Sequence, residues 1–197
     1  MASAIERHEL GLTWVEERGL RRAAHALADG GRVWLVDPFE DEVALAAACE
    51  LGRPAAVLQL LDRHERDCGR LAQRLEVAHL RLPSVLPDSP LTVVRVIWRR
   101  WWHELALWWE DRQALIVAEA LGTAPVMALG RRVGLHPLLR LSPPRAALTV
   151  HRAERLLVGH GRPLHAGASD AIAEALGAAR TDLPRLARAL PGLLRDR

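Results

Sequence analysis

Ionisable side chains are concentrated in one short stretch of the sequence, residues 62–67, which reads Asp-Arg-His-Glu-Arg-Asp. It follows an apolar run, residues 55–61, whose composition is typical of a strand covered on both faces. In α/β proteins, polar residues at the carboxyl end of such a strand commonly form the functional site. Carboxylates and an imidazole there could hold a divalent cation, which would make hydroxide available for hydrolysis at neutral pH.

Arginine interrupts this stretch at Arg66. A guanidinium has only hydrogen-bond donors and stays charged, so it cannot bind a cation and would repel one placed beside it. The acids and arginines of the stretch are equally consistent with a network of ion pairs at the strand end. The sequence therefore leaves two alternatives: a cation site with few ligands, or a charge network with a purely structural role.

Three further ionisable residues lie next to apolar segments with the length of β-strands. Glu104 opens one such segment, and Glu119 lies near the end of the following one. His160 stands between two glycines directly after the apolar residues 155–158. Flanking glycines let the backbone bend so that a strand-end imidazole points into a cleft, although a turn histidine with a local hydrogen bond is the alternative.

The elements that must position these residues follow a recognisable order. Strand-helix pairs come first, a meander follows, and helices return at the end, which is typical of a layered α/β sandwich. Residues 20–27 are interpreted as an arginine-rich connector or helix. Predicted strands cover residues 5–15 with a break at Gly11, 32–36, 55–61, 77–82, 91–97, 104–109, 114–121 and 155–158, and predicted helices cover 39–51, 67–75, 168–179 and a last segment from about 182.

Four segments resemble motifs of the metallo-β-lactamase superfamily, and they occur along the chain in the same order as those motifs. Residues 62–67 resemble its H-x-H-x-D-H metal loop, although most of the ligand types differ. A weaker match places His103 and Glu104 near a further histidine ligand of that superfamily. The other three matches are residues 33–37, a strand ending in the structural aspartate Asp37, residues 114–121 with Glu119 at the place of a bridging aspartate, and residues 156–161 with the glycine-flanked His160.

The resemblance implies a four-layer αββα sandwich formed by a single domain over residues 1–197. It also implies one bound divalent cation, which would be zinc, manganese or iron. The alternative is that no cation binds, because most of the ligand types differ. Arg66 and Asp67 occupy second-metal positions and are the candidate catalytic residues. Arg66 is expected to pair with Glu119 or Asp67 in place of that metal. The candidate metal ligands are Asp62, His64, Glu104, Glu119 and His160, with His103 replacing Glu104 if the strand register differs by one residue.

At most, the resemblance implies a mononuclear hydrolase of an ester, thioester or phosphoester, with a small-molecule substrate that the sequence does not identify. The alternative is a non-catalytic binding or scaffold protein that forms a homo-oligomer through tryptophan-rich strands. Five of the seven tryptophans lie within residues 98–109, interleaved with arginine. Tryptophan and arginine side chains pack in protein cores, form hot spots in interfaces or stack on nucleic-acid bases. Of these three roles, we do not expect nucleic-acid binding.

Composition narrows these alternatives only slightly. Half of the 197 residues are hydrophobic, enough for a sizeable core, and the formal net charge is only +3 although all 27 basic residues are arginine. Cys49 and Cys68 form no C-x-x-C pair, which favours a reducing cytoplasm. We find no apolar segment typical of a signal peptide or a membrane span. Serine-hydrolase, P-loop and dinucleotide motifs are also missing from the sequence.

Overall fold

The structure, a computed structural model, describes residues 3–193. Its first sheet has six strands in chain order; the first four are antiparallel neighbours, and the last two run parallel to the fourth. The carboxyl ends of the last three strands therefore lie at one edge. The strands are β1 (Ser3–His8), β2 (Gly11–Glu16), β3 (Ala23–Asp29), β4 (Arg32–Val36), β5 (Arg53–Gln59) and β6 (Ala78–Arg81).

The second sheet has four strands, and a separate two-stranded sheet lies between the last two of these strands in the chain. The long hairpin of β7 and β8 pairs with β9, and β12 then adds in parallel to β9. The carboxyl ends of β9 and β12 are consequently neighbours. The strands are β7 (Leu91–Arg99), β8 (Trp102–Trp109), β9 (Ala114–Val117), β10 (Leu121–Gly122), β11 (Gly134–Leu135) and β12 (Arg155–Val158), with β10 and β11 forming the small sheet.

Alternating side chains divide the apolar residues into layers. In β4, Val33 and Leu35 join the core beneath the first two helices, whereas Trp34 and Val36 join the core between the sheets. Helices also cover the second sheet, which confirms the predicted αββα sandwich. The helices are α1 (Glu42–Glu50), α2 (Cys68–Arg74), α3 (Pro125–Ala128), α4 (Arg145–Leu148), α5 (Ala168–Gly177) and α6 (Leu183–Leu193).

Two segments differ from the sequence-based interpretation. Residues 20–27 were expected to form a connector or helix, but residues 23–29 form β3, a strand between two neighbours. Its alanines carry little β-propensity, yet small residues suit a strand that is covered on both faces. The predicted strand 114–121 ends at Val117, and the chain resumes as β10 only at Leu121. Residues 1–2 and 194–197, the ends of the predicted domain, lie outside the described residues.

Backbone hydrogen bonds join the two sheets in two places. The Ala23 N–H donates to the Gly159 carbonyl at 2.8 Å, which ties the start of β3 to the end of β12. The Leu105 N–H donates to the Leu60 carbonyl at 2.8 Å, which ties β8 to the segment after β5. These junctions hold the strand ends from both sheets close together. Within the described residues, no helix has the length and apolar character needed to cross a membrane.

A buried histidine makes a third connection between the sheets. His25 of β3 lies 2.8 Å from the Thr13 hydroxyl through Nδ1 and 3.1 Å from the Val158 carbonyl through Nε2. Because a carbonyl only accepts, Nε2 carries the proton and Nδ1 accepts from Thr13. Burial lowers the pKa of His25 to about 3, and the nearby His8 ring acts in the same direction.

This histidine should make the protein sensitive to mild acid. The folded-state pKa of His25 lies below its unfolded value of 6.5, so its contribution is complete above pH 6.5 and is lost as the pH falls toward 3. Protonation of the unfolded chain should remove about 2 kcal/mol of the free energy of unfolding between about pH 7 and pH 5. Urea unfolding at the two pH values should show a smaller difference for His25→Gln. The exposed control His79→Gln should keep the wild-type difference; an unchanged difference in His25→Gln would contradict the assignment.

Candidate metal centre

An aspartate at the end of β4 orients one candidate ligand, His64. Asp37 accepts the Leu60 N–H through Oδ1 at 2.9 Å, and its Oδ2 lies 3.0 Å from His64 Nδ1. Burial would raise the pKa of Asp37, but His64, Arg66 and the Leu60 N–H together hold it below its usual value. The carboxylate therefore accepts from His64 Nδ1–H, which leaves the Nε2 lone pair available to bind a cation.

His160, directly after β12, is oriented in the same way by a backbone carbonyl. Its Nδ1 lies 3.1 Å from the Leu20 carbonyl, so Nδ1 carries the proton. Its Nε2 is buried and has no hydrogen-bond partner among residues 3–193. Burial, followed by Arg66 and His64, lowers the pKa of His160 to about 4, so the ring is neutral at pH 7.

The glycine before His160 permits this approach. A Cβ at Gly159 would lie 2.0 Å from the Ala118 carbonyl oxygen and 3.3 Å from the His64 ring. Any larger residue would push the end of β12 away from the end of β9. At Gly159 the structure thus requires a glycine for close packing of the two strand ends, which differs from the backbone bend expected from the sequence.

Glu119, two residues after β9, brings a carboxylate to the two imidazoles. Its Oε1 lies 3.9 Å from His160 Nε2 and 3.7 Å from His136 Nε2. One potential ligand atom from each of His64, Glu119 and His160 lies within 4.8 Å of the other two. The sequence assigned no role to His136, and no pattern around it could have suggested one; burial lowers its pKa.

Glu104 is not a member of this group and instead holds the loop that carries Glu119. Its Oε1 accepts the N–H groups of Glu119 at 2.8 Å and Ala120 at 2.7 Å. Its Oε2 accepts the Trp102 indole N–H at 2.9 Å. Burial raises the pKa of Glu104 to about 7, against the lowering effect of these three donors.

Asp62 also lies outside the group and connects the two sheets. Its Oδ2 accepts the His103 N–H at 2.9 Å and lies 3.2 Å from His103 Nδ1. The register thus directs Glu104 toward the Glu119 loop and His103 toward Asp62. Two of the three acidic candidate ligands, Asp62 and Glu104, thus accept backbone N–H groups, and only Glu119 joins His64 and His160.

Arg66 does not form the expected pair with Glu119 or Asp67. Its guanidinium donates to three backbone carbonyls, at 2.7 Å to Ala23, 2.6 Å to Asp37 and 3.2 Å to Gly159. Unpaired carbonyls at converging strand ends need donors, and an arginine supplies several in one plane. The pairing hypothesis is therefore wrong, although the positive charge does lie beside the histidines and lowers the pKa of His160.

Asp67 points away from the group, toward the surface at the start of α2. Its Oδ2 accepts the Glu40 N–H at 2.8 Å, and its Oδ1 pairs with Arg70 at 2.7 Å. These contacts fix the turn into α2. They do not bring the carboxylate to His64 or His160.

Two imidazoles and one carboxylate are the protein ligands of many catalytic zinc sites, in which a fourth position stays open. Bonds of about 2.0–2.1 Å in tetrahedral geometry place ligand atoms roughly 3.3 Å apart. The observed separations, up to 4.8 Å, require small side-chain rotations toward a cation. The unpartnered Nε2 of His160 is the atom that such a cation would satisfy. The residues therefore fit one divalent cation.

Comparison with known proteins bears on the fold. No protein-family model and no curated protein matches the sequence. Among solved structures, the DIM-1 metallo-beta-lactamase is similar, with 14% identity and a TM-score of 0.60 over 91% of this chain and 97% of that one. A metallo-beta-lactamase from Hirschia baltica has 14% identity and a TM-score of 0.54 over 90% and 91% of the two chains. A mutant flavo di-iron protein from Thermotoga maritima has 10% identity and a TM-score of 0.58 over 91% of this chain and 62% of that one.

These likenesses establish the fold. The chain has the metallo-β-lactamase fold, as its motif order predicted. At 10–14% identity they carry no information on the substrate. The chemistry must therefore be argued from the residues themselves.

The role of Glu104 can be tested by removing one of its acceptor atoms. In Glu104→Gln, a single acceptor oxygen remains for three buried donors, so one donor faces an amide N–H. The substitution should lower the free energy of unfolding by roughly 1–3 kcal/mol, as measured by urea denaturation. The matched control is Glu110→Gln, an exposed glutamate that also accepts an indole N–H, from Trp108, and it should change stability little.

A second substitution identifies the donor. Trp102→Phe removes the indole N–H, so Glu104→Gln should be less costly in that background than in the wild type. Equal costs in both backgrounds would show that the Trp102 contact has no part in the effect.

Proposed function

We propose that this protein is a mononuclear metal-dependent hydrolase, in which His64, Glu119 and His160 hold one divalent cation. Its substrate class is an ester, thioester or phosphoester. The observation that carries the proposal is the buried Nε2 of His160, which has no hydrogen-bond partner within residues 3–193 and lies 3.9 Å from Glu119 Oε1. A buried polar atom without a partner is costly, and a cation at this point would satisfy it.

The surrounding residues support one cation rather than two. Arg66 donates to the Gly159 carbonyl, next to His160, and so places a permanent positive charge beside the imidazoles. A second cation there would be repelled. Arg66 would thus supply, as a fixed residue, the positive charge that a second metal would bring.

Each residue has a distinct task in this proposal. Asp37 keeps His64 in the tautomer that can bind a cation, and the Leu20 carbonyl does the same for His160. Glu104 fixes the loop of Glu119. A bound divalent cation lowers the pKa of water and polarises a carbonyl or phosphoryl oxygen. His136, beside Glu119, offers a neutral imidazole that could accept a proton near the reacting group.

Metal binding can be tested directly on the purified protein. Elemental analysis after incubation with zinc and removal of the excess should give about one zinc per chain. Zinc at 100 times its Kd should stabilise the folded state by about 2.7 kcal/mol, seen as a higher unfolding temperature. Manganese and iron should bind more weakly than zinc at the same site.

Substitutions should locate the bound zinc. His64→Ala and His160→Ala should lose both the zinc and the thermal shift, whereas the exposed control His79→Ala should retain them. A folded wild-type protein that contains no metal and gains no stability from zinc would exclude the proposal. Equal zinc content in all variants would place the metal elsewhere.

A non-catalytic scaffold is the second candidate, and exposed tryptophans favour it. Trp98 and Trp101, at the tip of the β7–β8 hairpin, are 52% and 54% exposed. Large aromatic side chains in water favour burial in an interface, where tryptophan and arginine are common hot spots. In this proposal the hairpins of two copies meet and form a homo-oligomer.

Size-exclusion chromatography with light scattering tests this second candidate. The wild-type protein should elute as a dimer or larger species, and Trp101→Ala should shift it to the monomer. Val85→Ala, which shortens another exposed apolar residue, serves as the control and should leave the oligomer intact. A monomeric wild-type protein at all accessible concentrations would rule out self-association.

A further inference from the structure

Arg63 lies at the edge of the candidate metal centre and is held there by two neighbours, Glu119 and Trp102. Its Nη2 donates to Glu119 Oε2 at 2.7 Å, the oxygen that does not face His160. Its guanidinium lies over the Trp102 ring, 4.2 Å from the ring centroid. Trp102 is fully buried and is itself fixed by its hydrogen bond to Glu104. The guanidinium is therefore positioned before any ligand arrives.

Most of the donors on this guanidinium remain available. An arginine carries five N–H donors, and within residues 3–193 the Arg63 side chain makes one hydrogen bond, to Glu119. Its Nε lies 3.9 Å from Asp62 Oδ1, too far for a hydrogen bond. The side chain is 42% exposed, so the remaining donors can reach a ligand from solvent.

The other arginine beside the centre, Arg66, does not offer N–H donors to a ligand in this way. Arg66 donates through its terminal nitrogens to three backbone carbonyls and is less exposed than Arg63. Arg63, by contrast, donates to one carboxylate, Glu119, whose second oxygen faces the cation position, and it lies 3.9 Å from a second carboxylate, Asp62. A ligand bound at that position would thus lie next to free guanidinium donors.

We propose that Arg63 binds an anionic oxygen group of the substrate, a carboxylate or a phosphate, and so restricts the site to negatively charged substrates. This inference rests on the proposed function, because it places the anion beside a cation held by His64, Glu119 and His160. A planar guanidinium pairs with carboxylate and phosphate oxygens through two parallel N–H bonds, which a lysine cannot reproduce. Arg63 acts here as a substrate-binding residue.

The test uses two simple anions as probes. Inorganic phosphate and succinate are titrated calorimetrically into zinc-loaded wild-type protein and into Arg63→Gln, with free zinc removed. The affinity for one of the two anions should fall about 10-fold or more in Arg63→Gln, and that anion identifies the group that the substrate carries. Arg63→Lys, which keeps the charge without the planar fork, should lose less and remains usable if Arg63→Gln does not fold.

Arg7→Gln is the matched control, because Arg7 also donates through Nη2 to a glutamate, Glu50, at 2.8 Å and is 54% exposed. It should bind both anions as the wild type does. If zinc stays stoichiometric and Arg63→Gln binds both anions unchanged, the inference is overturned while the metal centre stands. An equal loss in Arg7→Gln would also overturn it. If the wild type holds no zinc, the proposed function fails, and the anion site fails with it.

Discussion

The guanidinium of Arg66 is the contact on which the arrangement of the candidate centre depends. It donates to the carbonyls of Ala23, Asp37 and Gly159, which belong to the start of β3, the end of β4 and the end of β12. Three chain segments from two sheets thus share one planar group. Asp37 is one of these residues and Gly159 precedes His160, so the same contact positions the aspartate that orients His64 and the backbone that carries His160. Arg66 and Asp37 have φ values of 42° and 44°, a left-handed conformation that is unfavourable for side-chain-bearing residues and persists where surrounding contacts hold it.

Acidic residues around the centre serve two different purposes. Glu119 presents an oxygen to the imidazoles, whereas Asp62 through Oδ2 and Glu104 through both oxygens accept N–H groups from neighbouring strands and loops. The second use stabilises the loops that deliver the first. This division explains why the site retains many ionisable groups although only three of them converge. In the structure, hydrogen-bonded acids hold the loops from which the three residues of the candidate site converge.

The sequence predicted the fold better than it predicted the site. Strands 32–36 and 155–158 match their predicted bounds because their ends are marked by turn residues, and the predicted helix 67–75 contains α2. The direction of Asp62 and Glu104 depends on how β8 is registered against the segment after β5, which no local pattern encodes. His136 reaches Glu119 from a turn distant in the sequence. β3 was missed because its alanines suit a covered strand without carrying a strand signal.

The three carbonyls held by Arg66 lie 29, 43 and 93 residues away from it along the chain. Joining such distant segments costs loop-closure entropy that local helices and hairpins do not incur. The order of folding follows from this cost. We expect hairpins such as β7–β8 to assemble first from nearby residues, and the centre to close after both sheets have docked. Substitutions at the centre should then act mainly on the rate at which the native state opens, and little on the rate at which the chain collapses.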